Sequence, residues 1–193
     1  MLVELHREID TRTREIAASQ TAWPCRRGCD TCCRRLAELP RLPRAEWSLV
    51  EDGLARLPRP LQLEIAGRIR EIKSSGEQRV CPFLDRDAGS CLIYEHRPVA
   101  CRTYGFYVER ERGLYCGKIE ARVEAGEFSD VVWGNAAAIE ARLEACGEKI
   151  PLLAWFNDSP ESSPRLLPTP PSASPDPCGA PSPSRSARPS VPR

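Results

Sequence analysis

Ten cysteines stand in this 193-residue chain, and eight of them are spaced as metal ligands would be. Cys25, Cys29, Cys32 and Cys33 form C-x3-C-x2-C-C; Cys81, Cys91 and Cys101 recur at intervals of ten residues, and Cys116 follows fifteen later. Thiolate is a soft ligand that selects zinc, copper(I) or iron–sulfur clusters over magnesium or calcium. A loop or first helical turn can aim sulfurs two or three residues apart at one centre. Adjacent Cys32 and Cys33 are expected to point different ways, leaving one for a second metal, a supporting position or a reactive thiol. Eight thiols could fill two four-sulfur zinc sites, or one cluster with some left over. Zinc modules usually carry two short C-x2-C pairs, and only the first group here has that form. Iron–sulfur clusters accept more varied spacings. The cofactor expected is therefore an iron–sulfur cluster or Zn2+. Cys146 reads as a small apolar helix residue, and Cys178 lies in a tail of different composition.

Arginines crowd the cysteines: Arg26, Arg27, Arg34, Arg35, Arg97 and Arg102. A tetrathiolate centre is negative, so cationic neighbours stabilise it and lower thiol pKa values. With 28 basic against 27 acidic side chains, the net charge of +1 supplies no field that would draw the chain onto nucleic acid or an anionic membrane. There is no zinc-finger helix and no alternating aromatic–basic platform, which further disfavours a nucleic-acid partner. His96 could be a ligand by position, but a solvated or hydrogen-bonded side chain is the plainer state for it; His6 lies among leucines on the first helix.

Charges at Glu4, Arg7, Glu8 and Asp10 leave no apolar core for a signal peptide, and no apolar run approaches the length of a membrane span. A cytoplasmic, reducing compartment is thus expected, where clustered thiols are kept for metal or redox chemistry.

The elements that must position these thiols read as mainly α with one small β-hairpin: a compact, cysteine-rich, metal-stabilised domain over residues 1–156. Leu2, Leu5, Ile9 and Ile16 give a first helix that Trp23-Pro24 should end. A second helical region runs from Arg44 to Lys73, split by Pro58 and Pro60, with Ile65, Ile69 and Ile72 on one face. Val80–Tyr94 holds two β-prone runs around Asp85-Arg86-Asp87-Ala88-Gly89-Ser90, a hairpin signal. Pro98 should open a short helix carrying Cys101. Helices over Lys118–Glu124 and Asp130–Ala145 follow, the latter with an apolar stripe of Val132, Ala136, Ile139 and Leu143, capped by Ser129 or Asp130 and stopped by Gly147. From Asn157 to Arg193, 11 of 37 residues are proline and nine are serine, so this tail is expected to be disordered.

C-x3-C-x2-C-C, then Cys81-Pro82-Phe83-Leu84, then Cys91-Leu92-Ile93-Tyr94-Glu95-His96-Arg97-Pro98-Val99-Ala100-Cys101-Arg102, resemble the YkgJ-type cysteine-cluster family, a candidate zinc- or iron-chelating domain. Cys116-Gly117-Lys118 resembles that family's late cysteine. The likeness spans about residues 23–118. It implies that Cys25, Cys29, Cys32, Cys33, Cys81, Cys91, Cys101 and Cys116 are the metal ligands, and that Tyr94, Arg97, Pro98 and Arg102 support the site. Some flagellin lysine methylases carry a similar cysteine cluster. The principal function expected is metal binding by a structural module. Its alternatives are an iron–sulfur-dependent enzyme transferring electrons or methyl groups, and a metal chaperone or redox sensor with Cys33 as the exchangeable thiol. The spacing C-x3-C-x2-C also occurs in radical S-adenosylmethionine enzymes, but their barrel needs roughly 200 residues or more, and repeated strand–helix units are absent from this sequence.

Overall fold

The computed structural model describes residues 1–75, 80–110, 113 and 116–156. About half of these are helical, with three two-stranded sheets of two residues per strand. The tail at 157–193, with Cys178, lies outside the described residues.

The amphipathic start folds as α1 (Leu2–Ala18), burying Leu2, Leu5, His6, Ile9 and Ile16. It stops well before Trp23: the Ser19 N–H donates to Glu15 O and its hydroxyl donates to Ile16 O, which closes the last turn locally. A loop then leads to α2 (Thr31–Arg34), the two-residue strand β1 (Arg41–Leu42), α3 (Arg44–Ala55) and α4 (Arg59–Ser75). Proline does divide the second helical region, but Pro60 itself sits in the first turn of α4, where its missing N–H is no loss. Next come the hairpin strands β2 (Leu84–Asp85) and β3 (Ser90–Cys91), a 3-10 turn at Tyr94–His96 and α5 (Val99–Thr103), which Pro98 caps from one residue outside. Then follow β4 (Tyr107–Val108), α6 (Gly117–Glu124), β5 (Gly134–Asn135), α7 (Ala136–Glu144), β6 (Ile150–Pro151) and a 3-10 turn at Leu152–Trp155.

The hairpin is where its sequence puts it, with Leu84 opposite Cys91 and Asp85 opposite Ser90. The Asp85 carboxylate accepts from the N–H groups of Asp87 and Ala88, and Gly89 takes φ +63° to finish the turn. Two further pairings are additions to the expected single hairpin: β1 with β6, antiparallel, and β4 with β5, parallel. The expected helix over Asp130–Ala145 is also shorter. Asn135, not Ser129 or Asp130, is the N-cap, its side chain accepting from Ala138 N at 3.2 Å. Residues 130–135 are spent on reaching β4, and Val132, expected on the apolar stripe, is 71% exposed.

Two apolar clusters form. In the first, Leu5, Ile9 and Ile16 of α1 meet Ile119, Leu143 and Trp23, whose ring lies 5.4 Å from Phe106 and 4.8 Å from Phe128. In the second, Trp47, Val50, Ile65 and Ile69 of α3 and α4 meet Leu42 and Ile93, with Trp47 stacked 5.8 Å from Trp155. Each fully buried aliphatic side chain contributes about 1.5–3 kcal/mol relative to leaving it in water. Helix α5 is bonded to a helix from each cluster. Its first N–H, on Val99, donates to buried Glu46 of α3 at 2.5 Å, and its Arg102 grips Asp10 of α1 through Nη1 at 2.7 and 2.9 Å.

A Cβ placed on Gly134 would lie 2.3 Å from Tyr107 Cδ1, so β5 can approach β4 only with glycine there. Gly134→Ala should lower stability by about 1–3 kcal/mol, read as a lower urea midpoint at unchanged slope. Gly67→Ala in α4, where a Cβ meets nothing within 4 Å, should leave the midpoint unchanged or raise it.

Candidate metal centre

The eight predicted thiols sit at six places in the fold. Cys25 and Cys29 lie in the loop before α2, Cys32 and Cys33 on α2, Cys81 before β2, Cys91 at the end of β3, Cys101 on α5, and Cys116 at the N-cap of α6. Cys116 is buried, Cys101 is exposed, and the other six are half-buried.

Short-range backbone chemistry brings these segments together. Gly28, at φ +87°, lets the first loop turn so that the Cys29 N–H reaches Arg26 O at 2.9 Å. Arg34 donates to Asp30 at 2.5 Å and to Arg86 O at 2.9 Å, tying α2 to the hairpin turn. The Cys81 N–H donates to Cys33 O at 2.7 Å, joining α2 to the start of the hairpin. Gly105, at φ +80°, passes between two of these cysteines: a Cβ there would stand 3.6 Å from both Cys25 Cβ and Cys116 Cβ. The Cys25 thiol donates to Tyr104 O at 3.6 Å. Cys32 and Cys33, expected to diverge, have their sulfurs 4.0 Å apart.

The thiols feel one another's charge. Burial pushes Cys25 up to about 12, helped by Cys29, Cys32 and Cys116 and opposed by Arg97. Cys32 is raised by its hydrogen bond with Cys33 and by burial. For Cys33 the bond with Cys32 lowers the pKa, but the bond with Cys81 and burial outweigh it and leave it at about 12. Burial raises Cys91 against the pull of Arg97 and Arg27. Cys101 meets solvent, yet enough protein surrounds its sulfur that desolvation raises it too, with Cys33, Cys91 and Cys32 adding to the effect. Its exposure decides whether a metal can reach it; the crowding decides what its proton costs to remove. A bound cation would relieve this repulsion, since metal ligation needs the thiolate and inverts the local charge balance. Among the described residues no three His, Cys, Asp or Glu side chains already form a ligand set for a metal ion. Sulfur donors of this softness suit zinc or iron.

The supporting residues divide. The Arg97 guanidinium lies 3.5 Å from the Tyr94 ring centre and that of Arg27 4.9 Å from it, and Arg97 favours the thiolates of Cys25, Cys91 and Cys101. Arg102 instead spans Asp10, Arg97 O and Glu95 O, and Pro98 O accepts from Cys101 N at 3.0 Å; both fix α5. His6 sits 3.8 Å from Glu46 in the core, and His96 packs over Gly53. Cys146, expected on the last helix, lies two residues beyond α7 because the helix stops at Glu144, and its thiol is 3.9 Å from Arg142 O. Sequence reasoning missed Tyr104, which burial and then Cys116, Cys32 and Cys25 push to about 12, and it missed the packing role of Gly105. The Tyr104-Gly105 step directly after the Cys101 helix was the available signal.

A model of the CxxCxxCC family, described as a candidate zinc- or iron-chelating domain, matches residues 24–137. The chain belongs to this family. The match runs beyond the 23–118 stretch legible from motifs, through α6 and β5 to the start of α7, and membership supports a general metal-binding role. Comparison with curated proteins and with solved structures found no match.

Because Arg97 lowers the pKa of Cys25, Cys91 and Cys101, Arg97→Ala should raise all three and shrink their thiolate fractions at a given pH. Alkylation at those positions in metal-free protein should slow several-fold, as mapped by mass spectrometry, while Cys146 keeps its rate.

Proposed function

We propose that this chain is a metal-binding module whose thiophilic centre, Zn2+ or an iron–sulfur cluster, ties its two apolar clusters together. The ligands are Cys25, Cys29, Cys32, Cys33, Cys81, Cys91, Cys101 and Cys116, on a domain spanning residues 1–156 that carries a Pro/Ser-rich tail. The observation that carries this reading is the seating of the thiols. Cys25 and Cys116 pack on the first cluster, and Cys81 and Cys91 pack on the second. Metal joining them would therefore join the clusters. Structural zinc adds an apparent ~10–16 kcal/mol, comparable to the ~5–15 kcal/mol net stability of a whole domain. Strands of two residues and helices of four or five supply little cohesion of their own, so a centre of that strength would dominate the seam. A reducing cytoplasm keeps such thiols available, and among the described residues no helix is long and apolar enough to cross a membrane.

A second reading, an exchangeable metal store, draws on the exposure of Cys101, which would let a competing ligand attack the centre from outside. Rapid transfer of the metal to a mild chelator would favour it over a closed structural site.

The deciding experiment is purification without oxygen, with zinc, iron, acid-labile sulfide and the visible spectrum measured together, then thermal unfolding before and after stripping. Bound metal whose removal abolishes the cooperative transition is the expected result. Colourless protein with zinc identifies a thiolate site, and brown protein with matched iron and sulfide identifies a cluster. Metal-free protein as isolated, or a transition that survives stripping unchanged, would sink the structural role.

A further inference from the structure

We infer that the face carrying the thiols takes its metal from an anionic carrier, a small polycarboxylate chelate that the exposed guanidiniums of Arg26, Arg27 and Arg35 receive and that yields its ion to Cys101. The inference rests on the metal-binding reading above and names the form in which the metal arrives.

Several contacts join these residues into one surface. The Tyr94 ring carries the guanidiniums of both Arg27 and Arg97, at 4.9 and 3.5 Å from its centre. A Cβ on Gly89 would stand 3.3 Å from Asp30 Oδ2, so the hairpin turn rests on the loop that follows Arg27. Arg34 donates across to Arg86 O at 2.9 Å, and Arg35 is the next residue along. Residues 26–35, 86–89 and 94–97 therefore share a face that holds six arginines and three carboxylates.

Those carboxylates leave most of the positive charge uncovered. Asp30 is held by Arg34 at 2.5 Å. Glu95 meets Arg27 at 3.2 Å, but the two side chains are 71% and 68% exposed, where water weakens such a pair. Only Asp87 remains to offset Arg26, Arg35 and Arg86, which are exposed and make no side-chain bond among the described residues. The chain as a whole carries +1, so this face is more positive than the molecule it belongs to. Support of the thiolates is the work of Arg97 and Arg27, and the other exposed arginines are left for something that arrives from solvent.

A bare divalent cation is repelled by such a face, whereas a complex with surplus carboxylates is drawn to it and oriented. Guanidinium binds carboxylate through two parallel N–H···O bonds, and several on one face match a ligand with several carboxylates. Cys101 is the exposed thiol among the eight. Transfer to it is ligand exchange without oxidation or reduction. A metal–carboxylate bond breaks, a metal–sulfur bond forms, the thiol proton passes to solvent, and the freed carboxylate leaves with the carrier.

The test loads the stripped, full-length chain without oxygen in a stopped-flow instrument, from aqua Co2+ or from Co2+ in excess citrate, following thiolate-to-cobalt absorption. Raising salt from ~10 to ~150 mM shortens the Debye length from about 30 to about 8 Å. Uptake from the citrate complex should then slow several-fold, and uptake from the aqua ion should quicken. The double variant Arg26→Ala/Arg35→Ala should likewise slow the citrate route and quicken the aqua route, a pair of opposite changes that a loosened fold does not give. Citrate alone, added to metal-free protein, should shift the side-chain N–H resonances of Arg26, Arg27 and Arg35 and leave that of Arg7 on α1 in place. Salt effects of one sign on both routes, equal slowing of both in the variant, or no arginine shift with citrate would overturn the anionic carrier while leaving metal binding intact. A wild-type chain that takes Co2+ from neither source overturns the carrier and the proposed function together.

Discussion

Arg102 is mostly enclosed by protein, and its guanidinium bonds all reach outside its own helix. It binds the carboxylate of Asp10 on α1, the Arg97 carbonyl and the Glu95 carbonyl. Three residues earlier, the Val99 N–H is held by Glu46 of α3. A five-residue helix is thereby fastened at one end to the helix that organises the first apolar cluster and at the other to the helix that organises the second. Leaving a buried guanidinium unpaired costs about 3–5 kcal/mol at the upper end, less here because Asp10 is partly open to water. Everything that approaches the cysteines from the C-terminal side depends on this fastening, because Cys101 rides on the same helix and Tyr94 and Arg97 lie in the turn that feeds it.

The rest of the arrangement follows from how little each element can do alone. A two-residue strand fixes a register but provides almost no burial, and a four-residue helix cannot persist without neighbours. The thiols are consequently placed by single specific bonds: Cys81 N to Cys33 O, Arg34 to the hairpin turn, and the glycine at 105 that lets two cysteine segments close on each other. The result is a donor set packed closely enough that its members oppose one another's ionisation. Thiols held protonated in this way would give up their protons when a cation takes the site, so metal binding here would release protons.

Much of this was legible in the residues. The stripe of Leu2, Leu5, Ile9 and Ile16, the proline break near residue 58, the Asp–Gly turn of the hairpin and the cysteine spacing all act within a few residues, and local physics decides them. What escaped was decided at long range. Val132 suited a helix by composition, but β5 pairs with Tyr107 and Val108, so the chain stays extended there and Asn135 becomes the cap. The pairing of residues 41–42 with 150–151 is set by tertiary packing and leaves no alternating pattern to read in so short a stretch. Arg102 shows the same limit within the site: its position beside Cys101 suggested electrostatic support for a metal, and only the approach of Asp10 reveals a different duty. Adjacent Cys32 and Cys33 were expected to diverge on spacing alone, yet a helix of a single turn leaves their sulfurs close.

The order of the thiols along the chain also has a meaning in time. Cys25, Cys29, Cys32 and Cys33 are made first, and α3 and α4 must be completed before Cys81 appears. At ~5–20 residues per second, that gap lasts on the order of 2–10 s. Throughout it, four nucleophilic sulfurs are present on a nascent chain whose partners do not yet exist. A ribosome-bound segment in this condition is open to oxidation, to wrong metals and to small thiols, and the single turn of α2 offers it little shelter. Translation speed and the redox state of the surrounding fluid therefore act on this protein before its fold is complete.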